Sequence, residues 1–467
     1  MPQLENLKKQ GLTRNEWYQA FCFALCFLAF MLAEAAVNTQ AAAVLGEAWV
    51  NRVYALGLVC TGLGFLSFSL LRRTVSGERG RKYAVYLAGT LCVVSAVLFL
   101  TTAHPVQFAL CAALCLFACG HMGGCVYYNH AMTFFQRPYM GRVTGAGMSL
   151  AVLIQFLVQS VIPLDLVFLA CMTISVFLVV LLVSMAPRTW VLDDPLPYSG
   201  KKRADGRTAC ILLLAVALMS LVSGIIDGVI TAFDGAGQFD VYHEVRLFYC
   251  LGLALAGWLA DFRQRRLLPL VTACFILLSS VSTTLLSSPA GYFAGVALMY
   301  VYSGFYVIFL TVLFCDFAPR TPQPELWAGL GRVVRCFTVA FIVPFMPWLY
   351  RTWGSTVLTV ASCLLSVAVL LTLLPWISRG IPEQPRAPLP RKEALHRFCE
   401  RYSLTPREMD ILDQILDNQT GEGIAAALGI SRRMVQRYIA SICEKCGAEG
   451  KHDILLIFHI FSIEERN

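Results

Sequence analysis

Between residues 432 and 441 the chain places three arginines, Arg432, Arg433 and Arg437, with no acid among them. Cations gathered on so short a stretch suit a polyanion, and charge segregation of this kind is the footprint of nucleic-acid binding. A second chemistry is suggested by two acids inside long apolar runs. Glu34 has Asn38 one turn on, and Asp227 has Thr231 one turn on. Charge is costly in hydrocarbon and marks a functional position by default. No Ser/His/Asp constellation, nucleotide loop or metal set is visible, so neither an enzyme nor a cofactor is expected. The 18 cysteines sit mostly in apolar runs, where they pack as small soft groups. Cys443 and Cys446 have metal-like spacing but no second pair, and no metal is expected there.

The arginines need a helix to present them, and the flanking residues supply one. Thr405 suits an N-cap, Pro406 the first turn, and Glu408 can close a capping box. Met409, Ile411, Leu412, Ile415 and Leu416 recur at helical spacing. A short helix, "EGIAAALG", follows; Gly429 and Ile430 form a turn, and Ser431 caps "RRMVQRYIASICEKC". Two helices joined by a tight turn, the second with cations on its first turns, make a helix-turn-helix. From residue 391 to 467 there are 11 Lys/Arg against 12 Asp/Glu, so the charge is segregated, not in excess. A closing helix with Ile454, Leu455, Ile457 and Phe458 is the expected dimer contact, and a homodimer would match a palindromic operator.

The acids need a different scaffold. The chain has 467 residues, 57% hydrophobic and only 14% charged, well below the charge of a soluble domain. Apolar runs long enough to cross hydrocarbon recur, giving twelve expected spans at 17–45, 50–71, 83–102, 106–134, 143–162, 164–185, 209–232, 243–260, 267–288, 290–316, 326–350 and 353–377. The first is too long for a signal-peptide core and reads as a retained span. Basic residues cluster in alternate loops, including 72–82, the central loop and 263–266. By the positive-inside rule both termini are cytoplasmic, in an inner membrane. The expected division is an N-terminal segment (1–16), a membrane domain (17–377), a Pro-rich linker with a lead-in helix (378–400) and a C-terminal domain (401–467). Glu34 and Asp227 stand 17 and 18 residues into spans 1 and 7, equivalent places in two six-span halves.

Two resemblances carry these readings further. "LTPRE", "IA..LGIS", "V...I..I..K.G" and "KHDILLIFHIF" resemble the LuxR-type DNA-binding domain, a tetrahelical module. It implies that the third helix enters the major groove, with Gln436 and Arg437 toward base edges, where they suit adenine and guanine. It further implies that Arg432 and Arg433 hold phosphates, that Ala440 nears the groove floor and that Lys445 adds a contact. Met434, Gln436, Arg437 and Tyr438 depart from the commonest family choice, which would change the operator read.

"GWLADFRQRR" resembles the inter-helix loop motif of the major facilitator superfamily. Gly257, Asp261, Arg265 and Arg266 take the places of its glycine, aspartate and basic pair, a conformational latch. In that fold spans 1, 4, 7 and 10 line a central cavity. The implied site comprises Glu34, Asn38, His121, Asn129, His130, Asp227, Thr231 and Tyr302, for a small organic ligand, cationic or phenolic. The whole reads as all-α: a twelve-helix (6+6) polytopic membrane domain with a tetrahelical helix-turn-helix domain after it. The expected function is a membrane-embedded regulator that senses a small molecule and binds double-stranded DNA. The alternative is a secondary transporter whose C-terminal domain regulates it.

Overall fold

The computed structural model of the chain describes residues 12–75, 77–135, 137–161, 165–184, 190–192, 206–236, 244–265, 267–285, 289–379, 391–417 and 419–464. Among these residues every regular element is helical. The first helix, α1 (Arg14–Leu45), starts at a capping box. Glu16 N–H donates to Thr13 Oγ1 at 3.3 Å, and Thr13 N–H donates to Glu16 Oε2 at 2.7 Å. It is followed by α2 (Val50–Thr74), α3 (Glu78–Thr101), α4 (Pro105–Thr133), α5 (Met140–Phe156) and α6 (Asp165–Ser184). The second half repeats the plan with α7 (Gly206–Gly235), α8 (Arg246–Ala260), α9 (Leu267–Ser279), α10 (Pro289–Phe317), α11 (Pro324–Ile342) and α12 (Met346–Arg379).

The expected spans fall on these helices, the eleventh (326–350) running from α11 into α12, but nine continuous stretches among the described residues are long and apolar enough to cross a membrane. Two reasons account for the difference from twelve. α11 and α12 run together as Pro324–Pro375 through a tight turn at Val343–Phe345, and the break between the eleventh and twelfth expected spans falls inside α12, at Gly354 with φ +76°. α8 and α9 have 15 and 13 residues, about 20 Å of helix each against about 30 Å of hydrocarbon. The outer surface carries large exposed apolar side chains such as Leu70, Leu110, Phe177, Leu214, Phe341 and Leu371. In water such a coat would aggregate; in lipid it is solvated. The chain is a multi-pass membrane protein.

The halves meet where α2 packs on α11 and α5 packs on α8. A six-helix shift converts one pair into the other, so the contact has internal two-fold character. The α5–α8 seam is built on glycine: a Cβ on Gly257 would lie 2.6 Å from Gly141 O and 2.7 Å from Gly145 Cα. Only hydrogen fits between backbones at that distance. We call the face at the start of α1 and the end of α2 the basal face, and the opposite one the distal face.

Beyond α12 a separate core forms. The helices α13 (Arg391–Arg401), α14 (Pro406–Leu416), α15 (Gly421–Leu428), α16 (Arg432–Cys446) and α17 (Lys451–Glu464) bury Phe398, Ile411, Leu412, Ile415, Ile424, Val435, Ile442, Ile454, Phe458 and Phe461 together. The lead-in helix, expected with the linker at 378–400, is part of this unit: the Phe398 ring lies 5.2 Å from both Phe458 and Phe461. Truncating so buried a ring costs about 3–5 kcal/mol. The Pro-rich stretch 382–390 lies outside the described residues. Of the expected dimer contact, Ile454, Leu455 and Phe458 are buried in this core and Ile457 packs against it half-buried.

Candidate nucleic-acid interface and intramembrane charge cluster

The helix-turn-helix is set by three hydroxyl caps. Thr405, Thr420 and Ser431 each accept from a backbone N–H three residues on, opening α14, α15 and α16. Gly429, at φ +65°, takes the left-handed conformation that ends α15 and re-aims the chain into α16. Val435 and Ile442 anchor α16 in the core. The opposite face exposes Arg433, Gln436, Arg437 and Ala440, at i, i+3, i+4 and i+7. That stripe has the shape and charge of a groove-reading surface.

Two expected DNA contacts are engaged elsewhere. Lys445 donates to Glu408 Oε2 at 2.7 Å and to Ser403 O at 3.2 Å, which ties its ammonium to the capping box of α14, away from the stripe. Burial of Glu408 opposes its ionisation, but Lys445, Ser441 and Thr405 outweigh this and hold the carboxyl down to about 2. Arg432 Nη1 lies 2.9 Å from Glu78 Oε2, at the start of α3, and 3.1 Å from Glu422 Oε1. The hydrogen bond with Glu78, then burial, pushes Glu422 up to about 7 against the pull of Arg432.

The Arg432–Glu78 pair is one of several contacts that seat the C-terminal unit on the basal face. The Lys451 ammonium stands 4.1 Å above the Trp190 ring. His452 Nε2 bonds the Pro319 carbonyl, and its ring lies 5.4 Å from that of Phe135. Burial pulls the His452 imidazole below its ordinary pKa, which favours the neutral ring. Glu78 and Phe135 belong to the first half of the membrane domain, Pro319 to the second.

Inside the membrane domain Glu34 and Asp227 stay partly exposed where their helix neighbours are buried. Residues 31–33 and 35–38 around Glu34 are buried on every side of α1, and Glu34 alone among them keeps exposure. Asp227 stands the same way among buried residues 222–226 and 228–230 of α7. Three guanidiniums that the sequence reading did not place here, those of Arg335, Arg246 and Arg332, lie within Coulombic reach of Glu34. Arg335 Nη2 is 3.8 Å from Asp227 Oδ2. Arg332 Nε donates to Tyr127 Oη at 2.8 Å, and Arg246 donates to Tyr300 Oη at 2.8 Å and to Gln155 Oε1 at 3.1 Å. The signal was present as "RVVR" within an apolar run, two charges at i and i+3 inside a span.

The expected ligand residues are only partly brought together. Asn38 (buried) and Thr231 (half-buried) lie one turn from their acids. Tyr302 donates to Met219 O on α7 at 3.1 Å. His121, Asn129 and His130 sit apart from the acids. α4 runs against α1, so the His130 ring stands 4.4 Å from that of Phe23 and Asn129 reaches Gln19, 11 and 15 residues before Glu34 on α1. That separation is about 17–22 Å along the helix. His130 pairs with Thr144 at 2.9 Å, His121 with Ser67 at 2.8 Å, and Asn129 with Gln19 at 2.5 Å and with Trp190 N–H at 2.7 Å.

At the latch motif Asp261 caps the start of α5. Its oxygens accept from Gly141 N–H at 2.8 Å and Arg142 N–H at 2.9 Å, and Arg265 Nη1 lies 2.7 Å away. Arg265 also pairs with Asp316 on α10; Arg266 lies outside the described residues. Among the described residues one thiol cluster has metal-site density: Cys92, Cys115 and Cys119, all buried, with sulfurs within 4.8 Å of one another. They sit mid-helix in α3 and α4.

Comparison with known proteins agrees with both parts. Residues 402–458 match the family described as bacterial regulatory proteins, luxR family (GerE). Among solved structures, the human organic anion transporter MFSD10 (TETRAN) superposes with a TM-score of 0.58 at 13% identity, covering 78% of this chain and 100% of that one. At that identity the likeness is one of fold. No curated protein matches by sequence. The chain joins a LuxR-type helix-turn-helix domain to a helical membrane domain of major facilitator-like fold.

Proposed function

We propose that the chain is a membrane-embedded one-component transcriptional regulator. A small molecule bound in the facilitator-like domain controls sequence-specific DNA binding by the C-terminal domain, with both termini in the cytoplasm of a bacterial cell. The observation that carries this reading is the seating of the DNA-binding unit on both halves of the membrane domain. Arg432 engages Glu78 in one half, while His452 bonds the Pro319 carbonyl in the other. Halves that rock about their shared seam, as facilitator-like domains are built to do, change the distance between those anchors. A seat that needs both anchors is then broken by the motion.

In the seated state Arg432, one of the proposed phosphate contacts, is occupied by two carboxylates. Release frees it for DNA. The Asp261–Arg142–Arg265 junction is the proposed latch that sets the balance between the two packings. Arg433, Gln436, Arg437 and Ala440 are the proposed groove-facing residues.

The direct test is DNA retardation by the full-length chain in nanodiscs, using fragments recovered by crosslinking in the host. Sequence-dependent binding supports a regulator. Absence of sequence-dependent binding in every lipid and ligand condition defeats it. A deletion after Arg379 that still supports uptake of a substrate favours the transporter reading.

A further inference from the structure

We infer that the intramembrane cluster receives the carboxylate, or an equivalent oxyanion, of a small organic ligand, and that Arg332 and Arg335 hold it. The inference rests on the sensor reading and names the chemical class sensed.

Both arginines are on α11, three residues apart, so they share a face. Arg332 is 7% exposed. Its Nε is used by Tyr127, while Nη2 is buried with no hydrogen-bond partner. No carboxylate lies within ion-pair distance of it among the described residues. Arg335 is engaged by the Tyr54 side chain, but its contact to Asp227 at 3.8 Å is too long for a hydrogen bond, and its buried Nε has no partner.

A guanidinium cannot shed its proton to escape this setting. Left unpaired at the middle of a bilayer it costs about 2.5–3.5 kcal/mol or more. Three arginines elsewhere in the domain are closely paired with acids: Arg73 lies 2.6 Å from Glu325, Arg137 2.7 Å from Glu16 and Arg142 3.0 Å from Asp261. Those pairs fasten helix ends and loops together. The two in α11 instead keep unused donors within reach of Glu34 and Asp227.

The sign of the ligand follows from what is unsatisfied. Glu34 is already within reach of three guanidiniums, so an added amine would enter a field compensated by cations. The vacant valences are N–H donors in planar forks, which match a carboxylate. Phe27 and Tyr127 rings stand 5.6 and 5.7 Å from the Arg332 guanidinium carbon and supply an apolar wall for the ligand body. A bound carboxylate would compete with Asp227 for Arg335, loosening the tie between α7 and α11.

The full-length chain in nanodiscs tests this through thermal unfolding with millimolar acetate, hexanoate or benzoate. Each is compared with the amide and the amine of the same skeleton. At least one carboxylate is expected to raise the midpoint while its amide and amine do not. Arg332→Gln is expected to weaken that carboxylate about tenfold to a hundredfold, and Arg332→Lys, which keeps charge without the fork, by less. Arg335→Gln carries the same comparison if the Arg332 variant does not insert. An amine that stabilises as well as its carboxylate, no stabilising carboxylate, or a shift that survives both glutamine variants overturns the inference. DNA affinity is measured in parallel to separate the two readings. Carboxylate binding without any change in DNA affinity leaves this assignment standing and removes the regulatory reading. DNA affinity that responds only to amines does the reverse.

Discussion

If the seated unit is held off DNA, weakening its seat from the membrane side should tighten DNA binding without altering a single residue of the DNA-binding domain. Glu78→Gln combined with Phe135→Ala is the perturbation. The Arg432–Glu78 pair is partly exposed, at 34% and 19% of the two side chains, and Arg432 keeps Glu422 after the change. Its loss is worth about 0.5–1 kcal/mol. The Phe135–His452 ring contact, at 5.4 Å, adds about 0.5–1.5 kcal/mol. Together they shift the seated-to-released ratio by about fivefold to sixtyfold. Apparent affinity scales with the released fraction, so the double variant should bind its DNA up to that much more tightly. Fluorescence anisotropy of crosslink-selected fragments with nanodisc-embedded chain gives the number. Equal or weaker binding by the variant refutes the seated, DNA-excluding arrangement.

Three other outcomes are expected. Glu408→Gln should destabilise the C-terminal unit by about 2 kcal/mol through loss of its cap and of Lys445, read as a lower unfolding midpoint. Because Glu408 is held down to about 2, its contribution is full above about pH 4.5 and is lost as pH falls toward 2; the variant should flatten that acid limb. Arg433→Ala should weaken all DNA sequences alike and reduce the slope of affinity against salt by about one charge, while Gln436→Ala should relax preference at one base pair at a cost of about 1–3 kcal/mol; competition binding separates the two. Gly257→Ala puts a methyl 2.6 Å from Gly141 O; forcing α5 and α8 apart should cost about 1–3 kcal/mol, seen as a lower unfolding midpoint in detergent.

Much of the fold was legible because lipid and caps write strong signals. Apolar runs located α1–α12, and Thr405, Glu408, Ser431 and Gly429 marked the boundaries of the C-terminal helices. Gly257 and Asp261 stand at the α5–α8 seam, where the spacing "G-x-L-A-D" puts glycine on the packed face and the acid at the helix end. Depth was harder to read. His121, Asn129 and His130 share a span with cavity-lining potential, yet α4 enters from the distal face, so the same run carries them toward the basal end. The arginines of α11 are hard to read from sequence because in a membrane protein a basic residue ordinarily marks a cytoplasmic loop. Lys445 and the closing helix share one ambiguity: a cation or apolar face on an amphipathic helix does not say whether its partner lies within the domain or outside it, and here Lys445 bonds Glu408 while Ile454, Leu455 and Phe458 pack within the domain.

DNA recovered by crosslinking to the intact chain in host membranes, compared with the Arg433→Ala/Arg437→Ala double variant, tests the central claim most directly. A membrane-bound reader of DNA should yield a small set of discrete sites that vanish in the variant while the protein stays in the membrane fraction. No enriched sites, or the same sites with both arginines gone, would contradict it.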